Sequence, residues 1–166
     1  MRKTIVLVIA LLLAPGTLAA QAAPPCSHEK SQEFDFWIGE WQVWSGGELA
    51  GTNSVQPILD GCVLQENWLG ARGSAGSSLN FYNPQSKTWQ QFWVWRNGTT
   101  LELVGDYADG KMILEGHSVT REGAAITNRI TWYDNEDGTV RQHWQISKDG
   151  GKTWESAFDG LYRRKD

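Results

Sequence analysis

Residues 88–120 read TWQQFWVWRNGTTLELVGDYADGKMILEGHSVT. Three runs, at 88–95, 100–105 and 111–120, alternate large apolar and polar side chains with the two-residue period of a half-buried strand. Asn97-Gly98 and Asp109-Gly110 separate them, and such pairs supply the positive φ angles that tight hairpins need. The segment therefore predicts three consecutive strands joined by short turns, each antiparallel to the one before it.

The same punctuation continues in both directions. Runs at 37–44, 50–58, 62–69 and 77–82 precede it, closed by Ser45-Gly46-Gly47, Asp60-Gly61, the loop 70–76 and Asn83-Pro84. Runs at 125–133, 139–147 and 153–163 follow, with breaks at Glu122-Gly123, Asp137-Gly138 and Asp149-Gly150-Gly151. Helical periodicity is confined to a short turn at Ser31-Gln32-Glu33. No connection is long enough to carry a crossover helix, so the runs should form an antiparallel meander. The fold class expected is all-β: about ten strands closing into an up-and-down barrel, the simplest way to leave no exposed edge. A two-sheet sandwich is the alternative architecture.

The first residues read differently. Arg2 and Lys3 precede the apolar run IVLVIALLLA (5–14), and Ala20 and Ala22 form an A-x-A site. This is the pattern of a secretory signal, and the run is shorter than a transmembrane span requires. Cleavage is expected after Ala22, giving a signal at 1–22, an N-terminal arm at 23–33 and one barrel domain at 34–166. Losing Arg2 and Lys3 moves the formal charge from −4 to −6. An acidic balance without a basic patch speaks against nucleic acid and against anionic membrane as partners. The expected location is the periplasm or the exterior. In such an oxidising compartment Cys26 and Cys62 invite a disulfide, with two free thiols as the alternative.

A barrel of this size has room for a ligand. The alternation puts Trp89, Gln91, Trp93 and Trp95 on one face of their strand, and Arg141, His143, Gln145 and Ser147 on one face of theirs. Leu64, Glu66 and Trp68 share a face opposite Val63, Gln65, Asn67 and Leu69. Large aromatics mixed with amides suit a pocket with a few directional polar groups, although ten tryptophans also suffice to fill a solid core. Trp68, Tyr82, Gln91, Trp93 and Trp95 are the expected ligand wall, with His143 as a polar contact.

Gly39-Glu40-Trp41 on the first strand resembles the Gly-x-Trp of the lipocalin and fatty-acid-binding (calycin) barrels. In those families the tryptophan closes one barrel end against a basic residue of the last strand. The resemblance makes Gly39 and Trp41 structural and offers Arg163 or Arg164 as the cation. More specifically, FDFWIGEW (34–41), GCVLQENW (61–68), SLNFYNP (78–84), WQQFWV (89–94), VRQHWQISKDGGKTW (140–154) and FDGLYRR (158–164) resemble a family of uncharacterised exported bacterial proteins over nearly all of residues 26–164. That resemblance implies an exported barrel and brings no reaction with it. Ser147 to Trp154 (SKDGGKTW) resembles the Asp-box hairpin. A single copy without a blade-length repeat argues against a propeller and makes Asp149 a turn-builder.

Chemistry-bearing residues are sparse. The three histidines, His28, His117 and His143, show no metal-ligand spacing, so no metal site is expected. Nitrobindin-like barrels, also calycin-like, hold haem through a histidine late in the chain, and by that analogy of fold His143 is the candidate haem ligand. No serine sits in a nucleophile elbow, and the Gly-Ser stretch at 73–77 reads as a loop at the barrel mouth. Glu66, between Gln65 and Asn67, is the strongest candidate for a buried acid, though a solvent-facing glutamate is the plainer expectation. The preferred function is non-catalytic binding or carriage of a small apolar or aromatic molecule, with no resident cofactor. The alternatives are a haem protein using His143, an isomerase or hydrolase using Glu66, and a solid interaction domain without a ligand.

Overall fold

The turns expected from the sequence lie where their glycines stand, and a computed structural model describes the chain from Pro25 to Lys165. Ten strands follow one another: β1 (Gly39–Ser45), β2 (Glu48–Ile58), β3 (Val63–Gly70), β4 (Ala75–Asn83), β5 (Thr88–Trp95), β6 (Thr100–Ala108), β7 (Lys111–Val119), β8 (Ala125–Asp134), β9 (Val140–Ser147) and β10 (Glu155–Arg164). Each pairs antiparallel with its predecessor, and β1 pairs with β10 through Trp41↔Arg164 to Trp44↔Leu161. The sheet is a closed up-and-down barrel with no free edge, and the sandwich is excluded.

The alternation decides which side chains enter the barrel. Trp41 and Val43, Asn53 and Val55, Leu64 and Glu66, Ser78 and Asn80, Trp89 and Gln91, Leu101 and Leu103, Met112 and Leu114, and Ile130 and Trp132 are all buried. β-Bulges between Val43 and Trp44 and between Ser156 and Phe158 bend β1 and β10 near the seam.

The first expected strand, 37–44, is corrected: Asp35–Trp37 is a 3-10 turn, and the strand begins at Gly39. The turn is closed by Trp37 N donating to Phe34 O (3.1 Å) and Ile38 N to Asp35 O (3.0 Å). Burial overrides the strand propensity of FDFW. Phe34 and Trp37 fold across one end of the barrel and reach zero exposure. Phe34 stacks on Trp37 with ring centres 4.9 Å apart and lies 5.2 Å from Trp132 and 5.7 Å from Trp89. Trp41 Nε1 donates to Trp37 O at 2.9 Å. Upstream, the short helix α1 (Glu29–Gln32) is capped by His28, and the Cys26–Cys62 disulfide ties this arm to the β2–β3 turn. The arm thus continues into a plug.

The Gly-x-Trp reading acquires its partner here. Arg164, not Arg163, covers Trp41, its guanidinium carbon 4.5 Å from the ring centre, and Arg164 Nη1 donates to Ile38 O at 3.1 Å. Gly39 has φ +149°, and a Cβ there would collide with the same guanidinium, so the glycine leaves room for the cation. Arg163 pairs across the seam with Gln42 and is exposed.

No helix among the described residues is long and apolar enough to cross a membrane. The proposed signal, 1–22, lies outside the described residues.

Candidate aromatic-walled cavity

Opposite the plug, where the β1–β2, β3–β4, β5–β6 and β9–β10 hairpins lie, the barrel is hollow. A cavity of about 490 Å³ opens to solvent there, within the size range of small-molecule sites. Trp68 from β3, Trp93 and Trp95 from β5, Trp144 from β9 and Phe158 from β10 form its walls, with Leu101 and Ile130 between them. The rings support one another edge-on: Trp93 and Trp95 are 5.6 Å apart, and Trp68 and Phe158 are 6.4 Å apart. Trp144 Nε1 donates to Asn128 Oδ1 (3.0 Å) and Trp68 Nε1 to Ser74 Oγ (3.3 Å), which fixes both indoles.

Small neighbours keep this half empty. A side chain at Gly76 would collide with the Trp93 ring, and one at Gly51 would come within 2.7 Å of Trp68 Cη2. Each indole therefore lies flat against the wall over a glycine and leaves the barrel axis free. At the rim Arg72 and Glu48 pair at 3.4 Å, both almost fully exposed, where an ion pair contributes little.

The floor is polar. Glu66, on β3, is 4 % exposed, which overturns the plainer expectation of a solvent-facing side chain. The register explains it: Glu66 alternates with inward-pointing Leu64 and Trp68 and stands opposite Ser78. Asn53 Nδ2 donates to Glu66 Oε1 at 2.8 Å, and Ser78 Oγ donates to Glu66 Oε2 at 2.7 Å. Behind Ser78, Asn80 Nδ2 donates to its hydroxyl (2.8 Å), and Gln91 Nε2 donates to Asn80 Oδ1 (2.7 Å). Across the floor Tyr162 OH donates to Gln142 Oε1 at 2.6 Å.

Burial pushes the Glu66 carboxyl up to about 7, and the hydrogen bonds from Ser78 and Asn53 offset only part of that rise. Burial likewise drives the Tyr162 phenol well above its usual value, with the Glu66 charge adding to the effect, so Tyr162 remains a donor. Glu66 thus changes charge near neutrality inside a largely apolar cavity. The hydroxyl beside it is that of Ser78, which donates to the carboxylate, and no group of three or more metal-ligating side chains occurs among the described residues.

Of the wall expected from sequence, Trp68, Gln91, Trp93 and Trp95 come together around the cavity. Tyr82 does not. It lies at the plugged end, 5.7 Å from His28 and 6.2 Å from Trp89. His143 does not either. On β9 the inward face carries Val140, Gln142 and Trp144, so His143 points outward and its Nε2 meets Ser156 Oγ at 3.1 Å. His28 and His117 also lie on the exterior. With no histidine in its lining, the cavity does not fit a haem ligated by His143. The solid-core alternative holds for the plugged end alone.

Gln142, Trp144, Phe158 and Tyr162 were missed as lining residues. One signal was available for β9: Val140, Trp144 and Ile146 make its more apolar face, and that is the face turned inward. Asn53, Ser78 and Asn80 carried no such signal, because a polar residue in a strand reads as solvent-facing until its neighbours are known. The Asp-box reading agrees with the geometry: Asp149 Oδ1 accepts from Lys152 N (3.0 Å) and Thr153 N (2.9 Å), and Trp154 Nε1 donates to Gly151 O (3.1 Å). Asp149 is outside the cavity.

Neither the family models nor the curated protein sequences contain a match to this chain.

Proposed function

We propose that this protein binds and carries a small, largely apolar molecule, inserted end-on into the open half of the barrel. The observation that supports this reading most is the pairing of a hollow aromatic wall with a polar floor built on Glu66 and Tyr162. Burying an aromatic or alkyl body against the indoles would drive association, and the Glu66–Tyr162 floor would orient its polar end. Export belongs to the same proposal. It rests on the Arg2-Lys3 and 5–14 pattern, the A-x-A site, the likeness to an exported bacterial family, and a disulfide of the kind that persists in oxidising compartments.

Titration with the neutral fluorescent probe N-phenyl-1-naphthylamine tests the binding reading. One saturable site is expected. Ala157→Trp, which places an indole at the rim, should abolish it, whereas Val104→Trp on the outer wall should leave it intact. Absence of saturable binding, or equal binding by both variants, overturns the reading. Expression of the full chain in a bacterial host, followed by fractionation and mass measurement, tests export: a periplasmic product lacking residues 1–22 is expected.

A second reading is favoured by Glu66 alone. A carboxyl that titrates near 7 beside a fixed phenol donor is equipped to move a proton on a bound carbonyl compound. Turnover with a pH–rate limb near 7, lost in Glu66→Gln, is the result that would replace carriage by catalysis.

A further inference from the structure

Glu66 is a buried acid with no cationic partner among the described residues. The ion pairs among the described residues, Lys30–Glu33, Arg72–Glu48, Arg129–Glu115, Arg141–Asp159 and Lys148–Glu155, all lie away from it. The groups that face it are neutral: Asn53 from β2, Ser78 from β4 and Tyr162 from β10. A carboxylate taken out of water demands either a proton or a counter-charge.

The rest of the floor adds an open acceptor, while the orphaned donor nearby, Trp93 Nε1, belongs to the wall. Asn53 Oδ1 is buried without a partner. Tyr162 OH is already committed to Gln142, Gln91 Nε2 to Asn80, and Ser78 Oγ to Glu66. Above the floor stand the indoles of Trp68, Trp93, Trp95 and Trp144, a ring type whose π-face attracts cations. Carboxylate, open acceptor and aromatic faces all favour one kind of head group, a nitrogen that carries both protons and positive charge.

We propose that the cavity selects small amines with an apolar or aromatic body, seating the ammonium group on Glu66 and the body between the tryptophans. This rests on the binding reading above and narrows its ligand class. It carries a pH dependence with a definite sign. Because Glu66 in the empty cavity holds its proton up to about pH 7, an ammonium ligand must displace that proton below neutrality, so its affinity rises with pH and levels off above 7. A carboxylate ligand should show the reverse trend.

Calorimetric titration of the oxidised protein with 4-phenylbutylamine, 4-phenylbutan-1-ol and 4-phenylbutyrate provides the test, since the three share a body and differ in the head group. At pH 8 the amine should bind at least tenfold more tightly than the alcohol. Between pH 8 and pH 5 its affinity should fall at least tenfold, while that of the alcohol changes less than twofold. Glu66→Gln should bring the amine down to the alcohol's affinity and remove the pH dependence, and retained alcohol binding shows that the variant is folded. Equal affinities for amine and alcohol at pH 8, or tightest binding of the butyrate, overturn the amine proposal and leave the binding reading standing. If none of the three binds, the amine proposal falls, and the naphthyl probe reports separately on the binding reading.

Discussion

At the plugged end, Phe34, Trp37, Trp89 and Trp132 close on one another and exclude solvent. At the open end, Trp68, Trp93, Trp95 and Trp144 surround empty space. Both ends are made of tryptophan on inward-facing strand positions, so composition does not separate them. What differs is the neighbour. At one end the segment 34–37 folds into the barrel and gives the rings something to pack against. At the other, Gly51 and Gly76 let the rings lie back against the wall, and no segment among the described residues enters. The same residue type supplies stability where it meets another ring and a binding wall where it meets a glycine.

The largest effect that would sharpen this contrast is expected at the plug. Trp37→Ala should cost about 3–5 kcal/mol by denaturant unfolding, whereas Trp95→Ala at the mouth should cost about 1 kcal/mol. Equal losses would erase the division between a stabilising end and a binding end. Next is the disulfide, which belongs to the plugged end. Its 36-residue sequence separation predicts a loss of about 4 kcal/mol when the Cys26→Ser/Cys62→Ser double variant is unfolded.

Glu66 is the open end's liability, and its effect is set by pH. The folded carboxyl keeps its proton up to about 7, against 4.5 for the ordinary side chain. The folded state therefore binds more protons between those values, and stability falls as pH rises from 4.5 to 7, then stays level. At about 1.4 kcal/mol per pH unit the full cost is about 3 kcal/mol. Glu66→Gln should be more stable than the natural protein at pH 8 by up to that amount, with the gain vanishing near pH 4. Unfolding midpoints across pH 4–8 measure it, and a flat difference would show that Glu66 is not held in a low-dielectric site. The smallest effect is at the Trp41 cap. Arg164→Ala should cost about 1–2 kcal/mol through the lost cation–π contact and hydrogen bond. Gly39→Ala displaces the same guanidinium, so the two substitutions together should cost less than their sum.

Much of the architecture was legible because its causes are local. Asn97-Gly98, Asp109-Gly110 and Asp137-Gly138 announce hairpins, and the period of two between them announces strands. The departure at Phe34-Asp35-Phe36-Trp37 came from a force that local pattern does not contain, the burial of both aromatics against residues as distant as Trp132. The site was legible in part. On β5 every alternate residue from Trp89 to Trp95 is large or amide-bearing, so its inner face announces itself. On β9, His143 and Trp144 are both plausible inward residues, and one residue of register exchanges them. Tyr82 shows the complementary failure: it points to the correct side of its strand but lies at the wrong end of the barrel.

By itself, then, the amino-acid sequence determined the strand number, the antiparallel order and the turn positions, because hairpin geometry and side-chain alternation act over a few neighbouring residues. It also placed two cysteines where a bridge is feasible. Tertiary structure alone decided the register in which β1 meets β10, that Arg164 rather than Arg163 covers Trp41, that one end is plugged and the other hollow, and that Glu66 lies within the hollow beside Asn53 and Ser78. Those outcomes depend on which residues of distant strands face each other, and only closing the barrel settles that.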